Sequence, residues 1–410
     1  MSLDVEILAT GDELLTGQVV DTNSAWLMDR LWDIGLMVRR KTLVGDDRAD
    51  LLAALRETTS RSDVVVMSGG LGPTEDDLTT ECVAQAMGVP LELHEPSLRW
   101  IEERFRKIGR VMTPNNAKQA SLPRGATVIP NRFGTAPGFA APLGKGEVFC
   151  LPGVPVEYRG LCEEVVIPRL AARVGEVPAA RLVKLFGIPE SHADARMEPI
   201  MRDPANADVR FGFRAHWPEI HVKWAVSGPN APERADRILE RVREMFGESL
   251  WGEGKVELPE IVVTRLLSRR EKVALAESCT GGLLAELVTS VPGASNVFDL
   301  CVVAYGNEAK TRLLDVPAEQ LATHGAVSPQ VAQALAEGAQ RQGRAAWGIG
   351  ITGIAGPSGG TAEKPVGTVH LAIAGPGGTA LLSRLYRGDR DRIRRQAAFE
   401  ALNLLRLAMR

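Results

Sequence analysis

The sequence predicts an α/β chain of three domains: a parallel-sheet domain first, a small α+β module in the middle, and a second α/β domain at the end. Three observations carry this reading. At 410 residues the chain is longer than one ordinary hydrophobic core accommodates. Its first and last portions both repeat short apolar runs that open into glycine-rich or polar loops and then into segments with helical apolar stripes, the order of parallel βαβ units. Between them lies a shorter succession of strand, helix, hairpin and helix.

In the first domain, residues 1–174, Val5–Ala9 is an apolar strand leading into Thr10-Gly11-Asp12-Glu13. A helix follows from about Asn23 to Ile34, with Ala25, Trp26, Leu27, Leu31 and Ile34 on or near one face. Met37–Val44 alternates as a strand, Arg48–Thr59 reads as a helix, and Asp63–Met67 as a strongly apolar strand. That strand opens into Ser68-Gly69-Gly70-Leu71-Gly72-Pro73-Thr74-Glu75-Asp76-Asp77. Glycines after a parallel strand let backbone approach a phosphate, and adjacent carboxylates can hold a hard cation such as magnesium beside it. The same acids serve equally as first-turn caps for a helix over Leu78–Met87. Thr113-Pro114-Asn115-Asn116, Asn131–Gly138 and Leu151–Pro155 add polar or glycine-proline loops, and a helix from Val156 to about Arg173 closes the unit.

The middle module, residues 175–254, has a strand over Arg181–Ile188, a helix over Glu190–Met201, a hairpin of Val209–Ala215 and Glu219–Val226 around His216-Trp217-Pro218, and a helix over Pro232–Phe246. A nucleic-acid role for such a unit needs a GxxG clamp loop, which the segment lacks, so it reads as a structural spacer. Trp251-Gly252-Glu253-Gly254-Lys255 reads as the linker into the last domain, residues 255–410.

The last domain starts with a helix over Leu258–Ser268 and ends with one from about Asp391 to Met409. Between them Val273-Ala274-Leu275 ends a strand and runs into Ala276–Gly282, AESCTGG, before an apolar-striped helix. Ser and Thr at a helix start are ordinarily capping residues. The same corner also offers Ser278 an oxyanion site, because unpaired N–H groups and the helix dipole favour negative charge there. A second strand, Cys301–Ala304, leads to Tyr305-Gly306-Asn307-Glu308-Ala309-Lys310, a phenol and an ammonium that suit a proton relay and a base. A buried lysine with a lowered pKa can deprotonate a serine. A third strand ends at Ile351-Thr352 and opens into a glycine-rich loop running to Gly360, which suits an anion. Parallel strands gather such loops along one sheet edge. Cys279 competes with Ser278 as nucleophile, since a thiol is intrinsically more reactive, but no Cys–His pairing lies nearby. His324 reads as a capping or loop residue, or as a third polar group.

Composition excludes several classes. Hydrophobic residues make up 45% and charged residues 24% of the chain, an ordinary balance, and a net charge of −3 argues against a nucleic-acid surface. Five scattered cysteines without a CxxC pair point away from disulfides and thiolate zinc sites and towards a reducing cytoplasm. No basic leader with a long apolar run and no membrane-length window is expected.

AESCTGG, YGNEAK, THGAVS, TGIAGPSGG, EKPVGTV and GDRD match, in order, the motifs of the CinA family, and the last domain resembles its C-terminal domain. That resemblance implies hydrolysis of the amide of nicotinamide mononucleotide (NMN) to nicotinate mononucleotide and ammonia, without a cofactor. It implies Ser278 as nucleophile, Lys310 as its base and Tyr305 as assisting proton carrier. Thr280, Gly281, Gly282, Asn307, Thr352, Gly353, Gly356 and Arg390 are implied as substrate contacts, with Arg390 a clamp for the 5′-phosphate. GDELLTGQVVDTN, SGGLGPTEDD, TPNN, GTAPG and LPGVP resemble the N-terminal domain of the same family, which is similar to molybdopterin-binding, MoCF-like domains; the middle module resembles the family's KH-like domain. For the first domain the resemblance implies a metal-dependent ADP-ribose pyrophosphatase with Gly69, Gly70, Gly72, Thr74 and Asn115 at the nucleotide. Asp46, Asp76 and Asp77, acids in strand-end loops, are the expected ligands of a divalent cation, magnesium or similar. The expected partners are the small nucleotides NMN and ADP-ribose, in a homodimer. The alternative is a regulatory protein, binding a nucleotide or pterin and acting in competence through partner contacts.

Overall fold

The structure, a computed structural model, describes residues 3–410. Two compact units divide it, one of residues up to Ala180 together with Ala225–Ala235, the other of Arg181–Trp224 with Asp236–Arg410.

The first unit is built on a six-stranded sheet in the order Val38–Val44, Val5–Thr10, Val64–Ser68, Gly146–Leu151, Gly138–Leu143, Thr127–Ile129. The first four strands are parallel and the last two antiparallel. Side chains alternate across the sheet, so Val5 and Ile7 pack with Leu27 and Leu31 on one face, whereas Leu8 packs with Leu51 and Leu55 on the other. Covering both faces is why these strands read as nearly unbroken apolar runs. The parallel strands end together: Ala9 pairs with Ser68, and Ser68 with Leu151. Their following loops therefore meet at one edge.

Two local departures from the sequence reading have clear causes. The closing helix is α-helical over Pro155–Leu161 and Ile167–Val174, with a π-helical turn over Cys162–Val166 between them. Pro168 has no N–H to return to Glu164, so the ladder re-registers just before it. A helix over Glu95–Lys107, absent from the sequence reading, starts with Pro in its first turn and with the His94 side chain accepting from the Ser97 N–H.

The middle module is a four-stranded sheet in the order Arg210–His216, Glu219–Val226, Ala179–Phe186, Leu250–Glu253, with helices Glu190–Met201 and Ala231–Phe246. The segment read as a linker is thus a correction: residues 250–253 form a strand antiparallel to Ala179–Phe186. Burial explains it, because Trp251 is 4% exposed and meets the Phe399 ring edge-on at 5.7 Å, while the Phe186 ring lies 4.9 Å from the same ring, tilted at 42°.

The last domain carries a five-stranded sheet in the order Phe298–Val303, Val273–Glu277, Trp347–Gly353, Thr368–Gly375, Gly378–Leu385. Its first three strands are parallel; the remaining two form an antiparallel hairpin on the edge. Trp347, Ile349 and Ile351 face a core shared with Ile393, Ala397 and Leu402 of the last helix, Arg390–Ala408. The opposite face of that strand presents Gly348 and Gly350 to the helix Pro329–Gln342, whose Ala336 and Ala332 carbonyls lie where a Cβ would stand. Glycine lets the helix sit against the sheet at that distance.

Candidate active site

Glu277 pairs with Val303 on one side and Ile351 on the other, so AESCTGG, the Tyr305 loop and the glycine-rich loop all leave one sheet edge. The Ala304 N–H donates to the Glu277 carbonyl at 2.9 Å and the Ser278 N–H to the Ile351 carbonyl at 3.0 Å, which ties the three strand ends together. Gly281 and Gly282 follow at φ +60° and +93°, values that L side chains rarely adopt, and turn the chain into the helix Leu283–Thr289.

Most of that helix start is already occupied. Glu277, wholly buried, accepts from the N–H groups of Gly282 at 2.9 Å, Leu284 at 3.2 Å and Ala285 at 2.8 Å. The Gly281 and Leu283 N–H groups bond to the Ser278 and Thr280 carbonyls. The expected oxyanion site therefore narrows to the N–H groups of Cys279 and Thr280, the two beside Ser278 that neither Glu277 nor the turn carbonyls engage. Glu277 was missed in sequence because the strand was read as ending at Leu275, which left Glu277 in the loop motif rather than buried at the strand end. Arg394, also missed, donates from Nη2 to the Thr280 carbonyl at 2.7 Å and pins the turn to the last helix.

Ser278 is 8% exposed. Lys310 is 1% exposed, and its Nζ donates to the carbonyls of Ala304 at 2.8 Å and Tyr305 at 2.9 Å. Burial lowers its pKa from the ordinary lysine value, against a smaller upward pull from Cys279. A deprotonated amine would keep both of these bonds and present its lone pair as a base. Cys279 lies 4% exposed, and burial pushes its thiol up to about 12, so it holds little thiolate at neutral pH.

Arg390, the first residue of the last helix, joins two of the loops. Its Nη1 donates to the Gly356 carbonyl at 2.7 Å and its Nη2 to the Tyr305 hydroxyl oxygen at 2.9 Å. Tyr305 is 60% exposed and keeps its own O–H proton for another acceptor. Thr352 is buried and donates to the Ala326 carbonyl at 2.7 Å, which leaves its oxygen as an acceptor. Asn307 is exposed at the start of the helix Asn307–Leu314, and Gly353 is the last residue of its strand. His324 ends the helix Ala318–His324, and its main-chain carbonyl accepts from Lys364 Nζ at 2.7 Å.

In the first unit, a cavity of about 480 Å³ lies at the strand-end edge. Gly69, Gly70, Gly72, Asp46, Asp76 and Asp77 line it; Thr74 and Asn115 are not among its lining residues. Instead Thr74 donates its N–H to Asp77 Oδ2 at 2.9 Å, and Asn115 bonds the Thr113 hydroxyl. Asp46 accepts from the Thr10 hydroxyl at 3.2 Å and from the Asp12 N–H at 3.0 Å. Thr74 holds the Asp76 carboxyl below its usual range. The three acids do not bring their ligand atoms within 4.8 Å of one another. Such an all-carboxylate set suits a hard cation that is also held by substrate oxygens and water, as magnesium prefers. Sequence reading overlooked Asn23 and Gln119, whose Oδ1 and Oε1 are buried in the lining without hydrogen-bond partners. Both are acceptors suited to donors on a bound molecule.

Among the described residues, no helix is long and apolar enough to cross a membrane. The model of the CinA C-terminal domain matches residues 255–409, that of a probable molybdopterin binding domain residues 6–172, and that of the damage-inducible protein CinA KH domain residues 180–252. A CinA-like protein of Anaeromyxobacter sp. (strain K) is 73% identical over 408 residues, covering 100% of both chains. A CinA-like protein of Myxococcus xanthus (strain DK1622) is 43% identical over 412 residues, covering 98% of this chain and 97% of its own. A solved structure of the protein CinA with unknown function from Thermoplasma acidophilum is 36% identical with a TM-score of 0.38, covering 42% of this chain and 98% of that one. At such identity along its whole length, the chain belongs to the CinA family.

Proposed function

We propose that the last domain hydrolyses the amide of nicotinamide mononucleotide to nicotinate mononucleotide and ammonia. The observation that carries this reading is the Arg390 guanidinium, fixed between Tyr305 and Gly356 at the sheet edge where Ser278 and Lys310 also lie. Two of its five N–H donors are used there, and the others suit a phosphate. Ser278 Oγ attacks the amide carbon and its proton passes to the neutral Lys310 amine, while the N–H groups of Cys279 and Thr280 face the developing oxyanion. The C–N bond breaks, and ammonia leaves with a proton from Lys310 relayed by Tyr305. Water then cleaves the acyl-serine by the same base. No cofactor enters this sequence of steps.

For the first domain we propose cleavage of the ADP-ribose pyrophosphate with a divalent cation. Gly69, Gly70 and Gly72 would bring backbone to the phosphates, and Asp46, Asp76 or Asp77 would hold a divalent cation, which when bound would offset the phosphate charge. Tight ADP-ribose binding without turnover at any metal condition would instead make this domain a binding module.

The deciding measurement is ammonia release from NMN by the full chain beside Ser278→Ala and Cys279→Ala. The wild type and the cysteine variant are expected to release ammonia, and the serine variant none. A dead cysteine variant with an active serine variant would reassign the nucleophile, and a folded but silent wild type would overturn the deamidase reading.

A further inference from the structure

The hairpin of the middle module holds a cluster that neither proposed reaction uses. Glu219 and His221 stand two residues apart on one strand and so project from the same face. His216 ends the partner strand across the turn. The ligand atoms of all three lie within 4.8 Å of one another. His221 Nε2 is 2.6 Å and His216 Nδ1 3.4 Å from Glu219 Oε1, and the two imidazoles stack with centroids 4.7 Å apart at 17°.

Glu219 is the informative member. Its side chain is 2% exposed, both histidines converge on Oε1, and Oε2 is buried with no hydrogen-bond partner. An unpartnered carboxylate oxygen away from water is costly. A hydrogen bond from either imidazole reaches Oε1 alone and still leaves Oε2 without a donor. A dication among the three groups satisfies the carboxylate and keeps both imidazoles neutral.

We infer that His216, Glu219 and His221 form a transition-metal site of the two-histidine, one-carboxylate type that takes Zn²⁺. Imidazole nitrogens with one carboxylate suit zinc rather than magnesium or calcium. Metal–ligand bonds near 2.0–2.2 Å place tetrahedral donors about 3.3 Å apart. The His216–Glu219 pair already stands at 3.4 Å, and the shorter pair has only to open by side-chain rotation. Three protein donors leave the fourth position to water, and His216, with 51% of its side chain exposed, opens the route from solvent. Trp217, in the turn itself, packs against the Arg392 guanidinium at 5.1 Å and anchors the loop that carries the site.

The test titrates the full chain with Co²⁺, followed by its visible d–d absorption, and with Zn²⁺ by calorimetry. Excess Mg²⁺ keeps oxygen-only sites filled throughout. Wild type is expected to bind one equivalent of each metal with the intense spectrum of a four-coordinate Co²⁺ site. His216→Ala and Glu219→Gln should each weaken binding about 10-fold or more. His216 is a surface side chain, so its variant keeps the fold, verified by circular dichroism and unchanged ammonia release from NMN. Zinc should raise the thermal midpoint of wild type and not that of His216→Ala. Equal Co²⁺ binding by wild type and His216→Ala would overturn the site, as would a wild type that binds no equivalent in excess Mg²⁺.

Discussion

Lys310 shows how a single side chain acquires a chemical role from its surroundings. Its amine is buried, and the loss of water around the charge lowers its pKa from 10.5 and favours the neutral form a base requires. The base works deprotonated, so kcat/KM for NMN should rise with pH along a limb centred below 10.5 and then level off. Lys310→Arg, which stays charged, should lower kcat by about 10²–10⁴-fold and abolish that limb. Full activity in the arginine variant would remove Lys310 from the mechanism. Stability carries the same signature. Because the folded pKa lies below the unfolded one, the burial penalty acts in full below the folded pKa and is relieved as pH rises towards 10.5. Stability of Lys310→Met relative to wild type should therefore decline over that rise, as urea unfolding at several pH values would show.

At the scale of the element, the turn from Glu277 to Ala285 depends on one carboxylate that serves as the N-terminal partner of a helix of only seven residues. Glu277→Gln keeps the shape, but its amide group places two hydrogens where the carboxylate accepted from backbone N–H groups. The loss should cost about 1–3 kcal/mol in urea unfolding, and a change within about 0.5 kcal/mol would show that the helix start does not rely on the charge. The same element marks the limit of what could be read from sequence. The strands Val5–Thr10, Val64–Ser68 and Trp347–Gly353 were legible because covering both faces leaves nearly unbroken apolar runs. The edge hairpin Thr368–Leu385 was not placed: Leu381 and Leu385 lie exposed, so its pattern does not separate core from solvent. The strand at Trp251 was mistaken for a linker because its glycines and charges resemble a turn, whereas its cause is a distant ring, Phe399. Ser278, Lys310 and Tyr305 were legible as local motifs. Glu277 at the helix start and the junction of Arg390 with Tyr305, 85 residues away, were not, since each is a contact that only the folded chain makes.

Across the whole molecule, the two proposed chemistries rest on different kinds of charge. In the last domain the working groups belong to the chain itself: a buried amine, a guanidinium and backbone N–H groups. In the first unit the cavity is lined by acids, which would repel a pyrophosphate unless a cation stood between them. The two activities should therefore separate under chelation. EDTA is expected to abolish ADP-ribose cleavage by the full chain, with magnesium restoring it, and to leave ammonia release from NMN unchanged. Ser278→Ala should do the reverse, removing ammonia release while cleavage proceeds at the wild-type rate. Loss of both activities on chelation would mean that the amide chemistry also needs a metal, and the steps assigned to Lys310 would have to be rewritten. Cleavage that survives EDTA would instead remove Asp46, Asp76 and Asp77 from the role of cation ligands, because without the ion their charges oppose the substrate they are meant to hold.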